Sequence, residues 1–304
     1  MKNSVHTYLG DNMSIYIQLL FASFFWGSNV VLMKLFLGKI PFLFLATIRV
    51  FLSVSFLGIY LIWKKISLQY GHQGKIFIIG TLAIYLNFFF TFIGMNEVKG
   101  IDNAFMNALA PAFTFLFGVL LLKQKGSFKE YLAIGFTLFA FLLSIHFRIF
   151  DIKRGFWYLF FGMVLYMLAN VFIQKWQLGR SLVFSFYELL YGFLLLLIHC
   201  LWSGQIQVYT LFNVSLGFWF LFILISGVGF AYIQVVYIKA IADIGALKTS
   251  FFLSLNPIFT YVESLVILKE KFDWIHFLGF IILAFAIYLI TNKKEEISLP
   301  HNNE

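Results

Sequence analysis

The chain has 304 residues, 62% of them hydrophobic and only 12% charged, against roughly 25% charged in ordinary soluble domains. So few charges cannot cover that much apolar surface in water, which excludes a soluble fold and leaves a polytopic membrane protein. The formal charge of +9 comes from basic residues scattered singly between apolar runs, a pattern that suits phospholipid headgroups rather than nucleic acid.

Ten apolar runs follow one another, each close to the ~20 residues that a bilayer demands. They cover Ser14–Leu37, Pro41–Trp63, Ile76–Met95, Ile101–Leu122, Phe128–Phe147, Gly155–Gln174, Ser181–Trp202, Leu216–Lys239, Ile244–Leu268 and Asp273–Thr291. None alternates like a barrel strand, so the expected fold is an all-α polytopic membrane protein of ten transmembrane helices. The first run has only Lys2 before it and continues past Ala22-Ser23, unlike a cleaved leader. The tail Asn292–Glu304 is polar and reads as a disordered end.

With the N-terminus inside, the inner connections carry Lys2, Lys64, Lys65, Lys75, Lys123, Lys125, Lys129, Lys175, Arg180, Lys239, Lys248, Lys293 and Lys294. The outer ones carry Lys39, Lys99, Arg148, Lys153, Arg154, Lys269 and Lys271. The excess inside places both termini in the cytoplasm and the protein in the cytoplasmic (inner) membrane. The Arg148–Arg154 cluster runs against that trend.

The chain repeats itself. Ile101–Leu143 and Leu247–Leu289 align without a gap, matching Pro111 with Pro257, Thr114 with Thr260, and Lys123 and Lys125 with Lys269 and Lys271. Asn29-Val30 with Lys34 is echoed by Asn170-Val171 with Lys175. Helices 4 and 5 thus match helices 9 and 10, dividing the chain into residues 1–148 and 149–304, five helices each. An odd unit inverts the second copy, and inverted repeats are the architecture of secondary transporters with a midplane site.

Pro111 and Pro257 fall mid-helix and deprive the carbonyls of Asn107 and Leu253 of their usual partners. They read either as hinges beside a substrate or as static kinks. Asn103, Asn107 and Thr114 share one helical face. Helix 9 offers two polar arcs, Thr249, Asn256, Thr260 and Glu263 against Ser250, Ser254, Tyr261 and Ser264; the matches Asn103/Thr249 and Thr114/Thr260 favour the first as the cavity face, though the sequence alone does not decide. Intramembrane charges cost about 2.5–3.5 kcal/mol each and need a reason. Arg49 and Glu263 lie at similar depth and are expected to pair, as a structural or coupling couple. Glu188 lies near neither in depth and is expected in a polar cavity or protonated, as a proton-coupling or cation-recognising carboxylate. Trp26, Asn29, Asn170, Gln234 and Asn256 complete the expected substrate pathway, with Tyr166, Asn170 and Gln174 on one face.

Catalysis has little to stand on. His199-Cys200 lacks an orienting partner, a lone cysteine forms neither an intrachain disulfide nor a thiolate cluster, and the six histidines show no metal-ligand spacing. No Gly-x-x-x-x-Gly-Lys-[Ser/Thr] loop is present. No catalytic residue, cofactor or metal is therefore expected.

Trp26-Gly27-Ser28-Asn29, Pro41 followed by Arg49, Ala104, Ala108 and Pro111, and then Tyr232, Ala240, Gly245-Ala246, Ser250, Pro257, Glu270 and Gly279 make the whole chain resemble the EamA family of the drug/metabolite transporter superfamily. The chain departs from that pattern at Gln124, where the family usually has Glu, and in helix 6, where Asn170 survives without Trp-Gly. The resemblance implies two inverted five-helix repeats, cytoplasmic termini and export or import of small metabolites without ATP hydrolysis. The expected function is a secondary transporter, and more narrowly an exporter, of an amino acid-like or other polar or zwitterionic compound by alternating access. Its partners would be a small-molecule substrate and the lipid bilayer. Proton coupling and oligomeric state stay open. The alternatives are a non-transporting scaffold or sensor and, further off, an intramembrane transferase.

Overall fold

The computed structural model describes residues 15–147, 153–179 and 182–291. Lys2, Arg148, Arg180, Lys293, Lys294 and the tail reading for Asn292–Glu304 lie outside them. Among the described residues ten helices cross the bundle: α1 (Ile15–Phe36), α2 (Phe42–Trp63), α3 (Gln73–Glu97), α4 (Gly100–Met106 and Ala110–Leu122), α5 (Phe128–Ser144), α6 (Arg154–Lys175), α7 (Leu182–Trp202), α8 (Leu216–Ile244), α9 (Ala246–Leu253 and Asn256–Ile267) and α10 (Trp274–Thr291). Nine are long and apolar enough to cross a membrane, and α5, at 17 residues, falls just short. α8 runs to Ile244, beyond the expected Lys239, and α9 follows after the single residue Gly245, whose φ of +86° permits so tight a corner.

The two halves pack as an inverted pair. α1 lies against α8 and α9, as α6 lies against α3 and α4; α2 packs on α8 as α7 packs on α3; α2–α7, α4–α9 and α5–α10 pair across the axis. Exchanging the halves maps this set onto itself. Local irregularities repeat too. α3 and α8 each contain a π-helical stretch, Thr81–Leu86 and Phe222–Gly229, whose first residues are separated by the same chain distance as Asn29 and Asn170.

The repeated prolines and lysines acquire a physical meaning. α4 and α9 are broken, at Asn107–Leu109 and Ser254-Leu255, and in each the proline is the second residue of the segment that follows. There its missing N–H costs little. α4 then ends on Lys123 at φ 55° and α9 passes through Lys269 at φ 54°, while the next residues, Gln124 and Glu270, donate their N–H groups back to the carbonyls of Gly118 and Ser264. Ser127 and Glu130 start α5 with a reciprocal capping box.

Corner contacts are repeated in kind. The Lys34 ammonium of α1 donates to the carbonyls of Met95 and Val98 at the α3–α4 corner. At the α8–α9 corner, Gln174 of α6 accepts the Ala246 N–H at 2.8 Å. On the same side as the first corner, Arg154 pairs with Glu97 at 2.5 Å, which offsets part of the basic cluster that ran against the charge bias. Asp273, between α9 and α10, accepts from the Ile275 N–H at 2.8 Å and faces His146 at 3.0 Å and His276 at 3.2 Å. Partial burial disfavours its charge, but the Ile275 N–H and the two imidazoles outweigh that and hold it below the usual carboxylate range.

Two predictions follow from this packing. A carboxylate held low stabilises the fold above its ordinary pKa of about 3.9, and the benefit disappears as pH falls through the lowered native value. Asp273→Asn should therefore lower the melting temperature at pH 7, by the equivalent of under about 1 kcal/mol. Repeating the melts down to pH 3 should show the gap to wild type closing. A Cβ on Gly27 would stand 2.7 Å from the Phe259 Cβ and 3.0 Å from the Thr260 nitrogen. Gly27→Ala should thus force α1 from α9 and destabilise by about 1–3 kcal/mol, measured by unfolding in detergent.

Candidate functional site

One cavity, of about 50 Å³, opens among α1, α2, α3, α4 and α6. Its wall takes Trp26, Asn29, Val30 and Met33 from α1, Arg49 from α2, and Asn87, Phe88, Thr91, Phe92 and Met95 from α3. Asn103, Met106 and Asn107 come from α4, with Leu159, Met163 and Tyr166 from α6. They run from the middle of the bundle toward the end where α1 and α3 finish and where α2, α4 and α6 begin. α9 contributes nothing to the wall, so neither polar arc of that helix faces this cavity.

The sequence places Arg49 against Glu263, and the structure does not. Glu263 accepts a hydrogen bond from Ser28 Oγ at 2.6 Å on the α1–α9 seam. Arg49 is only 6% exposed, and its guanidinium carbon sits 4.7 Å from the Phe88 ring centre and 4.2 Å from that of Phe230. Similar depth is a condition for pairing; the two side chains here lie on different seams. Phe88 and Phe230 escape sequence reasoning because aromatics make up 21% of the chain and nothing marks out those two.

Not every lining amide is available to a ligand. Asn29 donates to the carbonyls of Phe25 and Ile225 at 2.9 and 3.0 Å and accepts from Ser226 at 2.6 Å. Asn87 donates to the Gly162 carbonyl at 2.9 Å. Asn103 and Asn107, in contrast, spend no side-chain hydrogen bond on the described protein. Thr114, on the same α4 stripe, bonds back to the Ala110 carbonyl at 2.8 Å and stays outside the wall.

The other expected pathway residues lie on helices of the second repeat, outside this wall. Glu188 is 1% exposed, and its carboxylate takes the Gln234 amide at 3.3 Å. Asn170 and Asn256 are buried, Asn170 with its amide nitrogen and Asn256 with both amide atoms unpaired. A triangle of rings, Trp26, Tyr166 and Tyr237, with centroids 5.6 to 6.3 Å apart, lies in the bundle interior. Tyr166 is within electrostatic range of both Arg49 and Glu188 and within reach of Asn170. Gln174, on the same face, is committed to the α9 corner. His199 meets Tyr85 at 3.1 Å and Cys200 is buried.

Comparison with known proteins follows the same division. The profile of the EamA-like transporter family matches residues 13–146 and again residues 153–292. The chain belongs to the EamA-like transporter family. Across 272 residues it is 26% identical to the "Uncharacterized transporter YyaM" of Bacillus subtilis (strain 168), covering 84% of this chain and 87% of that protein. A protein of known crystal structure superposes with a TM-score of 0.66 at 12% identity, over 91% of this chain and 96% of its own, a likeness of fold. This EamA-like chain is a multi-pass membrane protein of a transporter family.

Asn29 is the lining residue most committed to structure. Asn29→Leu would leave the Ile225 carbonyl and the Ser226 hydroxyl buried without a partner. It should destabilise by about 1–3 kcal/mol, read as a lower thermal midpoint of the purified protein, whereas Asn103→Leu should leave the midpoint nearly unchanged.

Proposed function

We propose that the protein is a secondary transporter that exports a small polar metabolite, amino acid-like in size, across the cytoplasmic membrane by alternating access. The observation that supports this best is the pair of buried polar sets, one in each half of the bundle. Arg49 with Asn103 and Asn107 occupies one, and Glu188 with Gln234 the other. The Trp26–Tyr166–Tyr237 triangle is the natural barrier between them.

A cavity of about 50 Å³ has room for a few water molecules, whereas ligand sites run to roughly 300–1,000 Å³. A metabolite enters only if the halves separate, and we take residues 1–148 and 149–304 as the moving units. The breaks at Asn107–Leu109 and Ser254-Leu255 are the proposed hinges, carried by Pro111 and Pro257. With both termini in the cytoplasm, the Arg49 cavity faces outward and Glu188 inward. Glu188, whose described partner is the neutral Gln234, is the proposed site of proton coupling. No residue is assigned a catalytic role, and no cofactor or metal enters the proposal.

Purified protein in liposomes, challenged with labelled amino acids, nucleosides and other metabolites, should show saturable flux of at least one compound. Glu188→Gln should abolish its response to a pH gradient, and Pro257→Ala should slow turnover with less effect on half-saturation. Cells lacking the protein should accumulate the cargo inside. Absence of saturable flux under proton gradients of either sign would remove the transporter reading.

A further inference from the structure

We propose that the cargo carries a carboxylate and that Arg49 is its receptor, in a cavity whose lining, once the halves separate, suits a small organic anion with an apolar body; this rests on the transporter reading above. A guanidinium has five N–H donors and no means of losing its charge. At 6% exposure, the Arg49 guanidinium makes no hydrogen bond and no ion pair with any described residue, and its buried Nε is unpaired. Its ring contacts are Phe88 and Phe230, which attract the positive carbon but offer no lone pair to the donors, and Tyr166 on the same wall is within electrostatic range.

An arginine kept only for structure would be expected to spend those donors on a carboxylate or on helix-end carbonyls. This one keeps them and opens onto a cavity. Among the described residues the wall contains no Asp or Glu, so those residues give the cavity one positive charge and no acid to neutralise it. Asn103 and Asn107, both with uncommitted side chains, stand on the same wall and supply further polar contacts. The rest of the wall is mostly methionine, leucine, valine and aromatic surface. One cation, two free amides and an apolar remainder form the complement of a carboxylate on an apolar body, and they disfavour an amine or other cation as the group held here. The two rings also hold the guanidinium in place before the ligand arrives, lowering the ordering cost of binding.

Binding is measured directly, apart from flux, on the detergent-purified full chain by thermal shift and titration calorimetry. The probes are L-leucine, L-phenylalanine, 4-methylpentanoate and 3-phenylpropionate, each beside its primary amide, with 3-methylbutylamine as the cation. At least one acid should bind, its amide should bind about 10-fold or more weakly, and the amine should not bind. Arg49→Gln should weaken the acid by a similar factor and leave the acid and its amide nearly equal, while Arg49→Lys recovers part of the preference. Should Arg49→Gln fail to fold, the acid–amide comparison on wild type needs no substitution. Equal binding of acids and amides, binding by the amine, or no acid bound would overturn the assignment. Acid binding without flux would leave the receptor standing and remove only the transporter reading. Flux of cationic or neutral compounds, unaffected by Arg49→Gln, would do the reverse.

Discussion

Within a bilayer every backbone polar group must find its partner inside the protein, and this bundle contains more irregular backbone than straight helices would have. α4 and α9 are interrupted, and α3 and α8 carry π-helical stretches. The carbonyls around these places are met by side chains from other helices. Ser254 donates to Asn107 at 3.5 Å, across the two breaks. Ser23 donates to Phe252 at 2.8 Å. Asn29 and Ser53 serve Ile225, Ser226 and Gly227 in the π stretch of α8. Small polar residues thus bind helix to helix exactly where regularity is lost, and the choice of neighbours in the bundle follows from that requirement.

The same requirement separates polar residues that hold the fold from those left over. Asn29, Asn87, Ser23, Ser28 and Ser53 are consumed by backbone carbonyls, with Ser226 also on Asn29 and Glu263 on Ser28. Arg49, Asn103, Asn107, Asn170 and Asn256 retain unused capacity. Buried polar atoms without partners are few in folded proteins and call for an explanation. Here Arg49, Asn103 and Asn107 share the wall of the cavity, while Asn170, Asn256 and the Glu188–Gln234 pair lie outside it on helices of the second repeat.

Much of the fold was legible in the sequence because its signals are long. Apolar runs of bilayer length gave nearly every helix, and the duplicated proline and lysine positions marked the halves. The lysines were readable as a repeat but not as helix ends, since a left-handed φ at Lys123 and Lys269 leaves no mark in composition. The site was less legible. Trp26, Asn29, Asn103, Asn107 and Arg49 do share one wall, but Glu188, Gln234, Asn170 and Asn256 do not join them. The Arg49–Glu263 pair failed because depth along a helix axis says nothing about azimuth. Glu263 turned toward Ser28, and Arg49 toward rings that carry no distinguishing signal in so aromatic a chain.

That miss bears on the chemistry. A buried Arg–Glu couple would have been self-satisfied and left no field for a ligand. The ring pair does something different: it offsets part of the desolvation of the guanidinium, by about 2 kcal/mol or more for a contact shielded from water, without using its hydrogen-bond donors. The charge is made tolerable in the membrane and remains unneutralised. Under the proposed exchange of halves, opening one side would hydrate Arg49 while closing the other would leave Glu188 dry. The two charged groups would then sense the conformational change in opposite directions, and the free energy of occupying either would be coupled to which side is open.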